Sequence, residues 1–110
     1  MPFYRRGAER GIYHAAEHGV IEFTKSAALE YAARGIRIDA ICPGLIYTPM
    51  VDQMVAAGQS EALKGMEKSV PLGRVGRPEE FADTALWLAS DAASFVTGQS
   101  ISVDGGLTMR

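Results

Sequence analysis

Gly35-Ile36-Arg37-Ile38-Asp39-Ala40-Ile41-Cys42-Pro43-Gly44 is the stretch that decides the fold of this 110-residue chain. Isoleucine recurs at 36, 38 and 41, and its branched Cβ favours a pleated backbone. Pro43-Gly44 stops the run, so the segment predicts a strand over Ile36–Cys42. Gly35 stands where a helix ending just before it would want a left-handed C-terminal cap.

Upstream the periodicity is helical. Ala16, Val20, Phe23, Ala27 and Tyr31 recur in steps of three and four, with a second row at Ile21, Ala28 and Ala32, predicting a helix over Ile12–Arg34. Its wide, alanine-rich surface, broken by Gly19, suits packing between a sheet and another helix. The opening Met1–Gly11, with three arginines, two glycines and a proline, has no apolar period and reads as a loose lead-in.

Downstream, Thr48-Pro49 begins a methionine-rich segment in which Met50, Met54, Leu63 and Met66 predict one or two short amphipathic helices, a flap over 49–70. Pro71-Leu72-Gly73 and Gly76-Arg77 form an extended loop. Pro78-Glu79-Glu80 then opens a helix, with proline in its first turn and acids at its positive end, that runs to about Ser90. After a turn at Ala92–Phe95, Ser100–Val103 alternates as a second strand and ends at Asp104-Gly105-Gly106. The order helix, strand, flap, helix, strand predicts an α/β fold: two parallel strands joined by a right-handed crossover, with flanking helices.

A net charge of -2, with 11 basic and 13 acidic residues mixed along the chain, supplies no basic stripe, so neither nucleic acid nor an anionic membrane is an expected partner. No window approaches the roughly 18 consecutive apolar residues of a membrane-spanning helix. The single cysteine, Cys42, can form no internal disulfide, and no charged leader precedes an apolar run, so a cytoplasmic location is expected. Cys42, the methionines and Trp87 read most simply as packing groups.

Taken in order, Tyr13, Thr24-Lys25-Ser26-Ala27-Ala28-Leu29-Glu30, Gly35 through Pro49, Arg74 to Glu80 and Thr97-Gly98 through Asp104-Gly105-Gly106 resemble the second half of a short-chain dehydrogenase/reductase. The resemblance covers nearly everything after Ile12. It implies the C-terminal portion of a Rossmann-type doubly wound sheet. It also implies NAD or NADP as cofactor, a small carbonyl or secondary alcohol as substrate, and oligomers built on the two long helices and the last strand. By position it gives Tyr13 the acid/base role, sets Pro43 and Gly44 beside the nicotinamide, and lets Ile46 through its backbone and Thr48 through its hydroxyl meet the carboxamide. Ligands of such sheets bind outside the carboxyl ends of the strands, where Pro43-Gly44 falls. Pro43-Gly44 also reads as a plain strand-to-loop turn, and Thr48 as a helix cap.

The resemblance departs from the family in ways that bear on activity. The family's lysine, one helical turn after the tyrosine, lowers the tyrosine pKa and holds the ribose; here that position is Glu17. A carboxylate opposes tyrosinate, so the Tyr13 pKa is expected to rise from roughly 10. At about 4 Å and an effective dielectric near 20 the Coulomb energy is roughly 4 kcal/mol, and here its sign is wrong for catalysis. The family's upstream serine, asparagine and glycine-rich phosphate turn have no counterpart, and Asp39 stands where asparagine is usual. Without the first half, the Ile36–Cys42 strand loses neighbours and the helices bare apolar faces. Another polypeptide, self-association or a poorly folding gene fragment are the open outcomes, and weak or absent activity is expected.

Two other readings stay open. His14-Ala15-Ala16-Glu17-His18 spells the H-x-x-E-H zinc-peptidase signature, which would need Glu79 or Glu80 as third ligand; a solvated helix face is the plainer account of both histidines. A noncatalytic interaction protein would dock through the alanine-rich helix or the Phe81 helix.

Overall fold

The computed structural model of the chain describes residues 8–109, with side chains from residue 15 onward. Helix α1 spans Ala8–Tyr31 and continues into a 3-10 turn at Ala32–Arg34. Strand β1 (Ala40–Pro43) leads to α2 (Pro49–Ala56), α3 (Ser60–Ser69), α4 (Pro78–Ala89) and strand β2 (Ser100–Val103), with 3-10 turns at Asp91–Ala93 and Leu107–Met109. The two strands are parallel, in register from Ala40 opposite Ser100 to Pro43 opposite Val103. The architecture is the expected partial Rossmann-like α/β unit.

Boundaries differ from the expected ones for physical reasons. The long helix begins at Ala8 rather than Ile12, so only Met1–Gly7 of the expected lead-in lies outside the described residues. The first strand shortens to Ala40–Pro43 because its partner at the level of Ile38 is a turn. There the Ile38 N–H donates to the Thr97 hydroxyl at 3.1 Å and the Gly98 N–H to the Ile38 carbonyl at 2.8 Å. Regular pairing starts where the Ala40 N–H reaches the Gln99 carbonyl at 2.8 Å. Asp39 pins this entry: its buried carboxylate accepts from the Gln99 N–H at 2.9 Å and lies 3.8 Å from Arg37. Arg37 in turn donates to the carbonyls of Val96 and Ser90, at 3.1 and 3.3 Å, tying the end of α4 to the strand. Gly35 is the left-handed cap at φ 74°, its N–H donating to the Ala32 carbonyl at 3.0 Å.

The core gathers at the carboxyl ends of the strands, where Leu45, Val70 and Leu107 are buried together with Met66 and Val75 packed on them. Helix α1 turns the face carrying Glu17, Ile21, Thr24 and Ala28 inward, and of these Thr24 and Ala28 are buried. The Thr24 hydroxyl satisfies itself on the Val20 carbonyl at 2.7 Å, the back-bonding open to a threonine within a helix. The first expected apolar row is covered only in part: Ala27 and Tyr31 are half-buried, but Ala16, Val20 and Phe23 are exposed, Phe23 by 75%, as is Leu29 outside that row by 80%. Trp87 and Met50 are likewise exposed and are not core groups. The chain exposes 7553 Å² against roughly 5900 Å² for a compact protein of its mass.

Candidate active site

Gly44 follows the last residue of β1 and touches the turn that follows β2. A Cβ on Gly44 would lie 2.6 Å from the Asp104 Cβ and 2.9 Å from its Cα, so no larger residue fits without backbone movement. The Gly44 N–H donates to the Val103 carbonyl at 3.2 Å. Asp104 locks its own turn, accepting from the N–H groups of Gly106 and Thr108 at 2.9 and 3.1 Å and from the Thr108 hydroxyl at 2.6 Å. Gly105 and Gly106 supply the positive φ values, 62° and 91°, which that turn requires.

The next residues are held by a splint that the sequence did not announce. Gly76 donates its N–H to the Leu45 carbonyl at 2.8 Å, and its carbonyl accepts from the Tyr47 N–H at 2.7 Å, pairing in parallel with Ile46. Because Gly76 takes the groups on either side of Ile46, Ile46's own N–H and C=O point the other way. Among the described residues neither makes a hydrogen bond. A Cβ on Gly76 would meet Ile46 Cδ1, the movable end of that side chain, at 2.9 Å, and no backbone atom closer than 3.7 Å.

Arg74, Arg77 and Glu80 frame the splint. The Glu80 carboxylate accepts a forked pair from Arg74, at 2.7 and 2.9 Å, and a third bond from the Arg77 N–H at 2.8 Å. The Arg74 guanidinium, and after it the Arg77 N–H, pulls the Glu80 carboxyl down to about 2. The pattern R-x-G-R-P-E-E is legible as a motif; that its first arginine reaches forward to the helix's second glutamate is not. With its oxygens engaged in this way, Glu80 is poorly placed to serve as a zinc ligand.

Thr48 is exposed at the N-cap of α2, in extended conformation, and its hydroxyl makes no capping bond. The Tyr47 hydroxyl donates to the Asp52 carboxylate, tying the same loop to the first turn of α2 and raising the phenol's pKa. Pro43 is exposed at the strand end, and Gly44 and Ile46 are half-buried.

Glu17 is half-buried on the inner face of α1. Burial pushes the Cys42 thiol up, and the charges of Glu17 and Asp104 push it further, which puts position 17 within electrostatic reach of the end of β1. Tyr13 lies within the backbone of α1, one turn before Glu17, but its side chain and that of His14 fall outside the described residues. His18 is exposed, and among the described residues no three His, Cys, Asp or Glu side chains gather as a metal site would require. A cavity of about 530 Å³ opens beside the splint, lined by Ile46, Arg74, Glu80 and β2 residues, but Pro43, Gly44, Thr48 and Glu17 do not line it. No helix among the described residues is long and apolar enough to cross a membrane.

The crevice outside the carboxyl ends of parallel strands is where open α/β sheets bind their ligands. Residues 4–108 match the family described as enoyl-(acyl carrier protein) reductase, and the chain belongs to the short-chain dehydrogenase/reductases. It is 50% identical over 97 residues to 3beta-hydroxysteroid dehydrogenase 1 of Eggerthella lenta, covering 88% of this chain and 36% of that protein. It is 47% identical over 97 residues to the 3-oxoacyl-[acyl-carrier-protein] reductase FabG of Thermotoga maritima, covering 88% of this chain and 38% of that one. A crystal structure from Agrobacterium tumefaciens with bound NADP, assigned as a 2-deoxy-d-gluconate 3-dehydrogenase, superposes with a TM-score of 0.71 at 41% identity, over 89% of this chain and 39% of that one. The chain thus spans under two-fifths of the length of these relatives.

Proposed function

We propose that this chain supplies the nicotinamide-side loop and the acid/base helix of an NAD(P)-dependent oxidoreductase acting on a small carbonyl or secondary alcohol. The observation that carries the reading is Ile46: its N–H and C=O have no partner among the described residues, since the Gly76 splint takes the groups on either side, beside Pro43-Gly44 at the strand ends. A primary carboxamide offers one acceptor and two donors, so this pair of groups answers it directly. The Thr48 hydroxyl, free of any capping duty, is a third polar group on the same loop. NAD(P), when bound, supplies or accepts the hydride.

The chain's own part is to orient the nicotinamide and to move a proton. Tyr13, one turn before Glu17 on α1, is the group proposed to exchange that proton with the substrate oxygen. Glu17 opposes this, because a carboxylate within reach of the strand end disfavours a developing phenolate. Proton transfer, and with it turnover, is expected to be slow in the 110-residue chain. The α2–α3 segment is proposed as the substrate flap, anchored to the loop by the Tyr47–Asp52 hydrogen bond. Exposed Phe23, Leu29, Leu86 and Trp87 support association with a second copy or a complementary chain through α1 and α4.

Calorimetric titration of the chain with nicotinamide mononucleotide tests the reading. Binding that is lost in Ile46→Pro, which deletes the N–H, is the expected result. An undiminished affinity in that variant would remove the site.

A further inference from the structure

We infer that Glu80 is a positioning residue for the loop that meets the nicotinamide, acting through Arg74 and Gly76; this rests on the functional reading above. The Ile46 pair is useful to a ligand only if the loop's register is fixed, and Gly76 fixes it from both sides. Gly76 itself lies in a short extended link between Arg74 and Arg77, whose middle is held by Val75 packing on the buried core. Glu80 holds its two ends. Its carboxylate holds the Arg77 N–H at 2.8 Å and both Arg74 guanidinium nitrogens at 2.7 and 2.9 Å, spanning the link at its two ends. Arg74 also donates to the Val75 carbonyl at 3.2 Å, and the Glu80 N–H donates to the Arg77 carbonyl at 3.0 Å. The loop's geometry is therefore set from the first turn of α4, a rigid element anchored by buried Leu88.

Helix capping alone does not account for this arrangement. A cap at this helix start needs one acceptor for the Arg77 N–H, which a glutamine would also supply. The forked bond to Arg74 runs back across Gly76 and does nothing for the helix. Its planar, two-point geometry instead restricts the direction from which the link approaches the loop.

The test uses the whole chain with two readouts: hydrogen exchange at the Tyr47 and Gly76 amides, and titration with nicotinamide mononucleotide, NADH and ADP-ribose. Glu80→Gln keeps an oxygen for the cap and loses the charge. It is expected to speed both amides and to weaken the two nicotinamide ligands together by about two- to fivefold, the range of an exposed ion pair, leaving the ADP-ribose titration unchanged. Arg74→Lys, which keeps the charge and loses the fork, is expected to fall between, and guards against a Glu80 variant that does not fold. Unchanged Tyr47 exchange in both variants overturns the proposal, as does faster exchange with undiminished nicotinamide affinity, which would leave Glu80 purely structural. If the unsubstituted chain binds no nicotinamide ligand although its Tyr47 and Gly76 amides exchange slowly, the splint is intact, the functional reading has failed, and the positioning role falls with it.

Discussion

Helix α1 and the loops at the strand ends are held in place by opposite means. The helix is 24 residues long and rich in apolar side chains, yet among its described side chains it buries only Thr24 and Ala28 and leaves Phe23 and Leu29 in solvent. The loops are short and glycine-rich, yet Leu45, Val70 and Leu107 close beneath them while Gly76, Asp104 and Glu80 fix their backbone. Apolar content therefore does not measure how firmly a segment is placed; partners within the chain do. The acid/base side of the proposed site sits on the loosely placed element and the nicotinamide side on the firmly placed one.

The sharpest way to break that comparison is to remove one apolar side chain from each region. Leu45→Ala is expected to cost about 2–5 kcal/mol, because it empties a site walled by Val70 and Leu107. Phe23→Ala is expected to change stability by no more than about 0.5 kcal/mol, since the ring touches mainly water. Urea denaturation of both variants reads the difference, and equal costs would mean that α1 is as well packed as the loops.

The two regions' glycines give a smaller effect with opposite signs. Gly44→Ala must push against Asp104 Cβ and Cα and is expected to destabilise by about 1–3 kcal/mol. Gly19 is open, with nothing within 4 Å of the place a Cβ would take, and lies inside α1 at ordinary helical φ. Gly19→Ala is expected to stabilise by about 0.5–1 kcal/mol through helix propensity alone. Thermal unfolding of the pair checks both signs at once.

How much of this is legible in the sequence follows the same division. The α1 period, the Gly35 cap, the Pro78 helix start and the Ser100–Val103 strand are written in local spacing, and local spacing is what a single sequence displays. The face that α1 buries is not written there, because Phe23 and Val20 look like core residues until one asks what lies opposite them. The strand's first residues mislead because their partner is the Thr97-Gly98 turn, a fact about residues some sixty positions away. At the proposed site, Pro43, Gly44, Ile46 and Thr48 are expectations that the family resemblance supplies. The splint is not, since neither Gly76 nor Glu80 shows in isolation that it reaches across to Leu45 or Arg74.

Acid sharpens the comparison further. Glu80 is depressed to about 2, so it binds a proton less readily folded than unfolded. Its stabilising contribution is therefore complete above the ordinary carboxylate value of about 4.5 and is lost as pH falls toward 2. Followed by NMR, the Tyr47 and Gly76 amides are expected to hold their positions through pH 4 and to move only near pH 2 to 3. A midpoint near 4.5 would mean that Arg74 does not grip the carboxylate in solution.

The smallest expected effect joins the two regions. The Cys42 thiol is raised above its ordinary value chiefly by burial, then by Glu17 and Asp104, so alkylation by iodoacetamide at mildly alkaline pH should be slower than for an exposed thiol. Glu17→Gln removes one of the two charges and should speed the reaction modestly, and Glu17→Lys should speed it further by replacing repulsion of the thiolate with attraction. Asp104 offers no clean equivalent, because its carboxylate also holds Gly106 and Thr108. If alkylation is indifferent to all three charges at position 17, that side chain does not face the end of β1. A lysine placed there could not then assist Tyr13, and the acid/base half of the proposed site would have to be sought elsewhere on α1.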